Sequence, residues 1–297
     1  MLKLLNLKPQ DEATSPSPIV LLPGVIFLGI FFVVPLILIF RYSLYYDVIG
    51  SLKIRGALTL DNYINFFKDK YFVKIFILSL KIAVEVSVFD IILAYPVAYF
   101  LARSKSKIAS FVSGLSYLPL LASSVVTSFG WMIILSDEGF LNHILLSFNI
   151  VSNPLKIMYT ERGVLIALVQ ASLPFMVVSI RNVIFTIDRY FEDASATLGA
   201  KPFQTFFHVT LPLSFPGVAA GTLLVFVTAM SAFVTPALIG GGRVDTLASV
   251  ILRETQMNLN WSLASTISII ILVVTCIVLF VYNQLLESKW LGGGGRR

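Results

Sequence analysis

Apolar residues in this chain come in long, nearly unbroken runs, and that clustering constrains the fold more than any other feature. A helix needs about 20 mostly apolar residues to cross a bilayer. Six segments qualify: about 19–42, 75–101, 109–135, 163–186, 216–239 and 262–286. The period-two alternation that marks barrel strands is absent. Charged residues make up only 13% of the chain, against about 25% in soluble domains, and mean hydropathy is +0.88. The expected fold is an all-α, polytopic membrane helical bundle of about six transmembrane helices over residues 19–286. A polar segment (1–18) precedes it and a tail (287–297) follows. Pro23, Pro35 and Pro119 fall inside spans, where neighbouring helices can satisfy the freed carbonyls.

Charge and special residues exclude several function classes. The net charge of +6 comes from single Lys and Arg residues scattered between apolar runs. No basic stripe interleaved with aromatics offers a nucleic-acid surface, and this balance suits contact with anionic lipid. One cysteine, Cys276, and two distant histidines, His143 and His208, give no disulfide and no metal site. No phosphate-cradling glycine loop and no Ser/His/Asp arrangement is present, so the chain is not expected to be an enzyme or to bind nucleotide. The first apolar run is long enough to be kept as a helix rather than cleaved as a signal. Six spans place both termini on one side. The short basic turn at 102–108, with Arg103, Lys105 and Lys107, makes that side cytoplasmic by the positive-inside rule, with a small margin.

The most patterned connection runs from residue 187 to 215, leading into the fifth apolar run. Asp188 suits an N-cap, and Glu192 and Asp193 suit an early helical turn. Phe191, Ala194 and Leu198 recur as one apolar stripe. Gly199 then stops the helix, and Pro202 opens a second one at a permitted position. Ala194, Ser195 and Ala196 would allow close approach by a partner, and the acids would face basic residues on it. The second helix runs through Leu211-Pro212 toward the fifth span, a geometry for mechanical coupling.

This loop resembles the EAA motif of binding-protein-dependent ABC importer permeases: Glu-Ala-Ala, three residues, Gly, nine residues, Ile, one residue, Leu-Pro. Here Asp193, Ala194 and Ser195 occupy the triplet, Gly199 follows at the family spacing, and Val209, Thr210, Leu211 and Pro212 complete it. Asp stands for Glu and Ser for the second Ala. The resemblance implies a MetI-like fold whose coupling helix seats in a groove of a separate ATPase. The expected coupling residues are Glu192, Asp193, Ala194, Ser195, Leu198, Gly199, Val209, Leu211 and Pro212. It also implies two ATPase subunits, which bind ATP and magnesium in place of this chain, and a second permease, a paralogue. An external solute-binding protein and a bacterial inner-membrane location with cytoplasmic termini complete the expectation. Leu60, Asn62, Tyr63 and Phe66 look like the family's usual first external segment, and the stretches from Tyr95 to Arg103 and from Ser231 to Gly241 look like the spermidine/putrescine-type subgroup. That subgroup points to polyamines, opines or related solutes.

Charges inside spans are costly and mark candidate sites. Lys81 and Glu85 lie one turn apart on the second span, with Asp90 deeper. On the fifth, Ser231, Phe233, Thr235 and Pro236 combine small polar groups, an aromatic ring and a helix break. These seven are the candidate pathway residues; the competing reading is an internal ion pair or bonding to neighbouring helices on the second span, and simple helix packing on the fifth. An ion-gradient-driven transporter or channel subunit is the alternative reading, and it predicts two similar halves with paired broken helices.

Overall fold

The structure, a computed structural model, describes residues 22–45 and 58–286; segments 1–18 and 287–297 lie outside the described residues. Every regular element among them is helical. Helix α1 (Leu22–Ser43) is the first span, and Pro35 follows a π-helical turn over Gly29–Val33 that accommodates its missing N–H. The amphipathic helix α2 (Asp61–Lys68) buries Phe66. The 34-residue α3 (Lys70–Arg103) starts at Asp69, whose side chain accepts from the Tyr71 amide at 2.8 Å. Next come α4 (Lys107–Leu121), α5 (Ser124–Leu135), α6 (Phe140–Ser147) and α7 (Glu161–Thr186). The short α8 (Tyr190–Thr197) precedes α9, which runs from Pro202 to Ser231. Helices α10 (Val234–Ile239), α11 (Leu247–Gln256) and α12 (Trp261–Leu286) complete the chain.

The core is a three-helix packing of α3, α7 and α9. Small side chains make it tight, as membrane packing demands, since lipid offers no hydrophobic force between helices. Ala83, Ala94 and Ala98 of α3 and Ala167 of α7 are buried. A Cβ on Gly217 would stand 2.9 Å from the Ser179 carbonyl oxygen, and one on Gly221 would stand 2.6 Å from Met176 Sδ. A second cluster, Phe66, Ile75, Leu247, Val250, Ile267 and Ile270, joins α2, α3, α11 and α12. Helix α1 packs on α12 rather than on the core. There the Asn62 amide donates to the carbonyls of Ser43 and Tyr45, both at 2.9 Å.

Two expected spans are broken. Residues 109–135 form not one helix but α4 and a following helical segment, bent by 107°. Pro119 weakens the end of α4, Ala122 and Ser123 are extended, and Ser123 recaps the chain by accepting from the Val125 amide. The fifth span was expected at 216–239. Its helix begins at Pro202 and stops at Ser231, before a separate α10. Pro236 has no N–H to offer the carbonyl of Ala232, which accepts instead from the Thr246 hydroxyl at 3.5 Å. Length and hydropathy alone yield four spans, or five with the bent pair, against the six expected. Helix α3, at 34 residues, is also long enough to cross.

Candidate functional site

The α8–α9 corner is built as the spacing predicts, with one large difference in its orientation. Asp188 Oδ1 accepts from the Tyr190 amide at 2.9 Å and opens α8. Gly199 closes it at φ +87°, a left-handed backbone that favours glycine. The Gly199 amide donates to the Ala196 carbonyl and the Ala200 amide to the Ser195 carbonyl, the paired bonds of a Schellman closure. Pro202 then begins α9, where the Gln204 side chain accepts from the Lys201 amide. A π-helical turn follows at Phe206–Thr210. The second helix of the corner is therefore the fifth span itself, unbroken for 30 residues.

Glu192 was expected to face a partner; it faces inward. Its Oε1 accepts from Arg103 Nε and Nη2 at 3.2 and 3.0 Å, and from the Thr210 hydroxyl at 3.0 Å. Arg103 Nη1 also donates to the Ile187 carbonyl, and Arg189 donates to the Arg103 carbonyl. With side chains only 12% and 17% exposed, the Arg103–Glu192 pair knots the corner to the end of α3 and the start of α9. Ser195, also expected on the partner face, is half-buried and bonds the Glu192 carbonyl and the Thr205 hydroxyl, the latter at 2.7 Å. The serine that departs from the family triplet thus ties α8 to α9. Val209, Leu211 and Pro212 are half-buried, and Leu211 packs on the core. Behind them Phe206 meets the Tyr95 ring edge-on, and Tyr95 bonds Ser214 at 2.6 Å.

What remains open to a partner combines large apolar side chains with a few polar and charged ones. Tyr190, Phe191, Leu198 and Phe203 are exposed, Leu198 at 89%, together with Asp193, Ala196 and Gly199. Ala194 is half-buried. His208 is exposed and contacts the Gln204 carbonyl.

The pathway candidates do not converge. Lys81 lies nearer Glu161 of α7, at 2.8 Å, than Glu85, at 3.9 Å. Asp90 is fully buried between α3 and α7; Ser172 donates to its Oδ2 at 2.5 Å, and its Oδ1 has no hydrogen-bond partner. Ser231 bonds the carbonyls of its own helix, Phe233 is exposed, and Thr235 and Pro236 are buried. Thr235 nevertheless joins something the sequence did not single out. The α4–α5 and α9–α10 breaks flank a cavity of about 190 Å³ lined by Ser124, Thr127, Ser128, Trp131 and Thr235. Ser128 and Thr235 hydroxyls lie 3.2 Å apart, and Trp131 donates to Gln170 at 3.0 Å. The paired serines after Pro119 were the available signal. Among the described residues, no three His, Cys, Asp or Glu side chains gather as a metal would require.

Comparison with known proteins finds relatives in both sequence and fold. Residues 91–292 match the family model for binding-protein-dependent transport system inner membrane components. The spermidine/putrescine transport system permease protein PotB of Haemophilus influenzae is 34% identical over 243 residues, covering 81% of this chain and 85% of that protein. Among solved structures, a bacterial alginate ABC transporter in complex with an alginate-bound periplasmic protein superposes with a TM-score of 0.76. That match is 18% identical and covers 91% of this chain and 93% of the other. The MetNI methionine ABC transporter in an inward-facing conformation gives a TM-score of 0.55 at 16% identity, covering 74% and 98%.

Proposed function

The chain belongs to the binding-protein-dependent transport system inner membrane components, the permeases of ABC importers, and on that premise we propose that it forms half of a polyamine pathway. The observation that carries the coupling role is the α8 corner. It presents exposed apolar side chains outward while Arg103, Glu192 and Thr210 bind it to α3 and α9 behind. An ATPase subunit seats on that face, one on each of two permeases, and supplies the ATP and magnesium chemistry. Closure of the ATPase pair moves the corners together. Because the corner is continuous with a span, that motion changes the packing of α9 against α7 and the aperture beside the α9–α10 break.

The similarity to PotB supports a polyamine as the solute and a paralogue as the second permease. Thr235 and Ser128, at the paired breaks, would hydrogen-bond a passing amine. Phe233 and Trp131 offer ring faces to a cation, and Glu85 and Glu161 offer carboxylates on the approach. The paired hydroxyls of Ser128 and Thr235 in an otherwise largely apolar cavity support Thr235 over Asp90, whose burial keeps it from a solute. Six passes put both termini on the side of α8, which the short basic turn at Arg103–Lys107 makes cytoplasmic.

The test uses the whole complex in proteoliposomes: this chain, its second permease, its ATPase and its solute-binding protein. Spermidine or putrescine with the binding protein should stimulate ATP hydrolysis and drive uptake. Uptake that follows an ion gradient without ATP would overturn the importer reading. Stimulation by another solute class, with none by polyamines, would overturn the substrate alone.

A further inference from the structure

A crevice of about 470 Å³ opens at the α8 end of the bundle, between α3, α4 and α7. Three cations line it, Lys105, Arg181 and Arg189, with the hydroxyl-bearing Ser104, Ser110 and Ser113, and no carboxylate does. Glu192 is paired with Arg103, and Asp188 Oδ1 accepts from the Tyr190 amide. Arg181 is the unexplained member. It stands five residues before the end of α7, about 8 Å along the helix at 1.5 Å per residue. Its Nε is buried without a hydrogen-bond partner among the described residues, and its Nη1 bond to the Tyr117 hydroxyl is long at 3.4 Å. A guanidinium half-withdrawn from water, with no counter-ion among the described residues, is costly in a membrane protein. Its planar fork matches a phosphate.

We propose that this crevice holds the phosphate of an anionic phospholipid from the leaflet on the α8 side. Its surroundings fit a lipid rather than a soluble anion. Phe185 lines the crevice and is 70% exposed, while Ile108 and Phe111 are exposed on the first turns of α4 beside it. An acyl chain would therefore lie against apolar side chains while its headgroup meets the cations, the usual arrangement of basic pockets between membrane helices. Arg189 immediately precedes α8 and also holds the Arg103 carbonyl, so the headgroup would sit against the corner's own anchor. This inference goes beyond the importer reading and does not depend on which solute crosses.

The assembled complex, purified from a membrane containing phosphatidylglycerol, is examined by native mass spectrometry and in nanodiscs of defined lipid. The intact protein should retain phosphatidylglycerol in preference to phosphatidylcholine. Arg181→Gln should cut that retention about tenfold, the scale of losing charge-assisted hydrogen bonds. Lys105→Gln, on an exposed side chain that cannot disturb folding, should cut it less. Co-purification of the ATPase with both variants separates lipid loss from loss of assembly. Equal retention by wild type and Lys105→Gln and Arg181→Gln would overturn the proposal. Displacement of the lipid by millimolar inorganic phosphate would assign the crevice to a soluble anion and overturn it equally.

Discussion

Glu192 shows how one side chain can reverse the meaning of a motif. The first turn of α8 places two acids side by side, but only Asp193 is exposed; Glu192 is claimed by Arg103, 89 positions earlier. Removing one member of a well-screened ion pair leaves the other without its partner. Arg103→Ala or Glu192→Gln should therefore cost about 2 kcal/mol, the range for hydrogen bonds to charged groups, read as a lowered melting temperature of the purified complex. Replacing both with Met should recover part of that loss, since apolar replacement of a buried pair is often neutral. Failure of the single variants to shift the melt would remove the knot from the account. Leu198 tests the other face. At 89% exposure it supports nothing within the chain, so Leu198→Glu should leave the melt unchanged and reduce ATPase co-purification by an order of magnitude or so, as loss of a buried apolar anchor does. Leu211→Glu would not separate the two, because Leu211 packs on the core.

At the scale of helices, the α7–α9 contact carries a similar prediction. Gly217 lies against the Ser179 backbone carbonyl, which cannot swing aside, whereas Gly221 lies against the flexible end of Met176. Gly217→Ala should destabilise by about 1–3 kcal/mol, the usual cost of overpacking, and Gly221→Ala by less; the two melting curves decide the order. The same helices show what was legible beforehand. Hydropathy located α7 within two residues of its observed start and found α1 and α12, because those segments meet lipid or packed helices along their whole length. It ran straight through Ala122–Ser123 and Ala232–Phe233, because both breaks occur where the chain stays apolar while its hydrogen bonds change partners. The corner was legible since its caps, Asp188 and Gly199, act within a few residues. Its inward tie was not, since Arg103, Thr210 and Thr205 come from other parts of the chain. The cavity between the two breaks was missed for the same reason.

For the whole molecule, the orientation proposed for the bundle is open to direct measurement. In a Cys276→Ser background, a cysteine at position 198 should label from the cytoplasmic side only, and one at Arg243, exposed in the turn before α11, from the opposite side. Labelling in the reverse sense would turn the bundle over and take the ATPase-docking proposal with it. The packing of α1 carries a different consequence, one of timing. Helix α1 rests on α12 through a sheath outside the core, and Ser43 is its only buried residue. Helix α1, made before α12, must therefore wait in lipid for it, while α3, α7 and α9 assemble without it. A chain ended at 260 should keep a protease-resistant core but leave α1 accessible to crosslinking by neighbouring lipids or insertion factors. Adding α12 as a separate polypeptide should then shield α1, making α12 the latch that holds α1 in place.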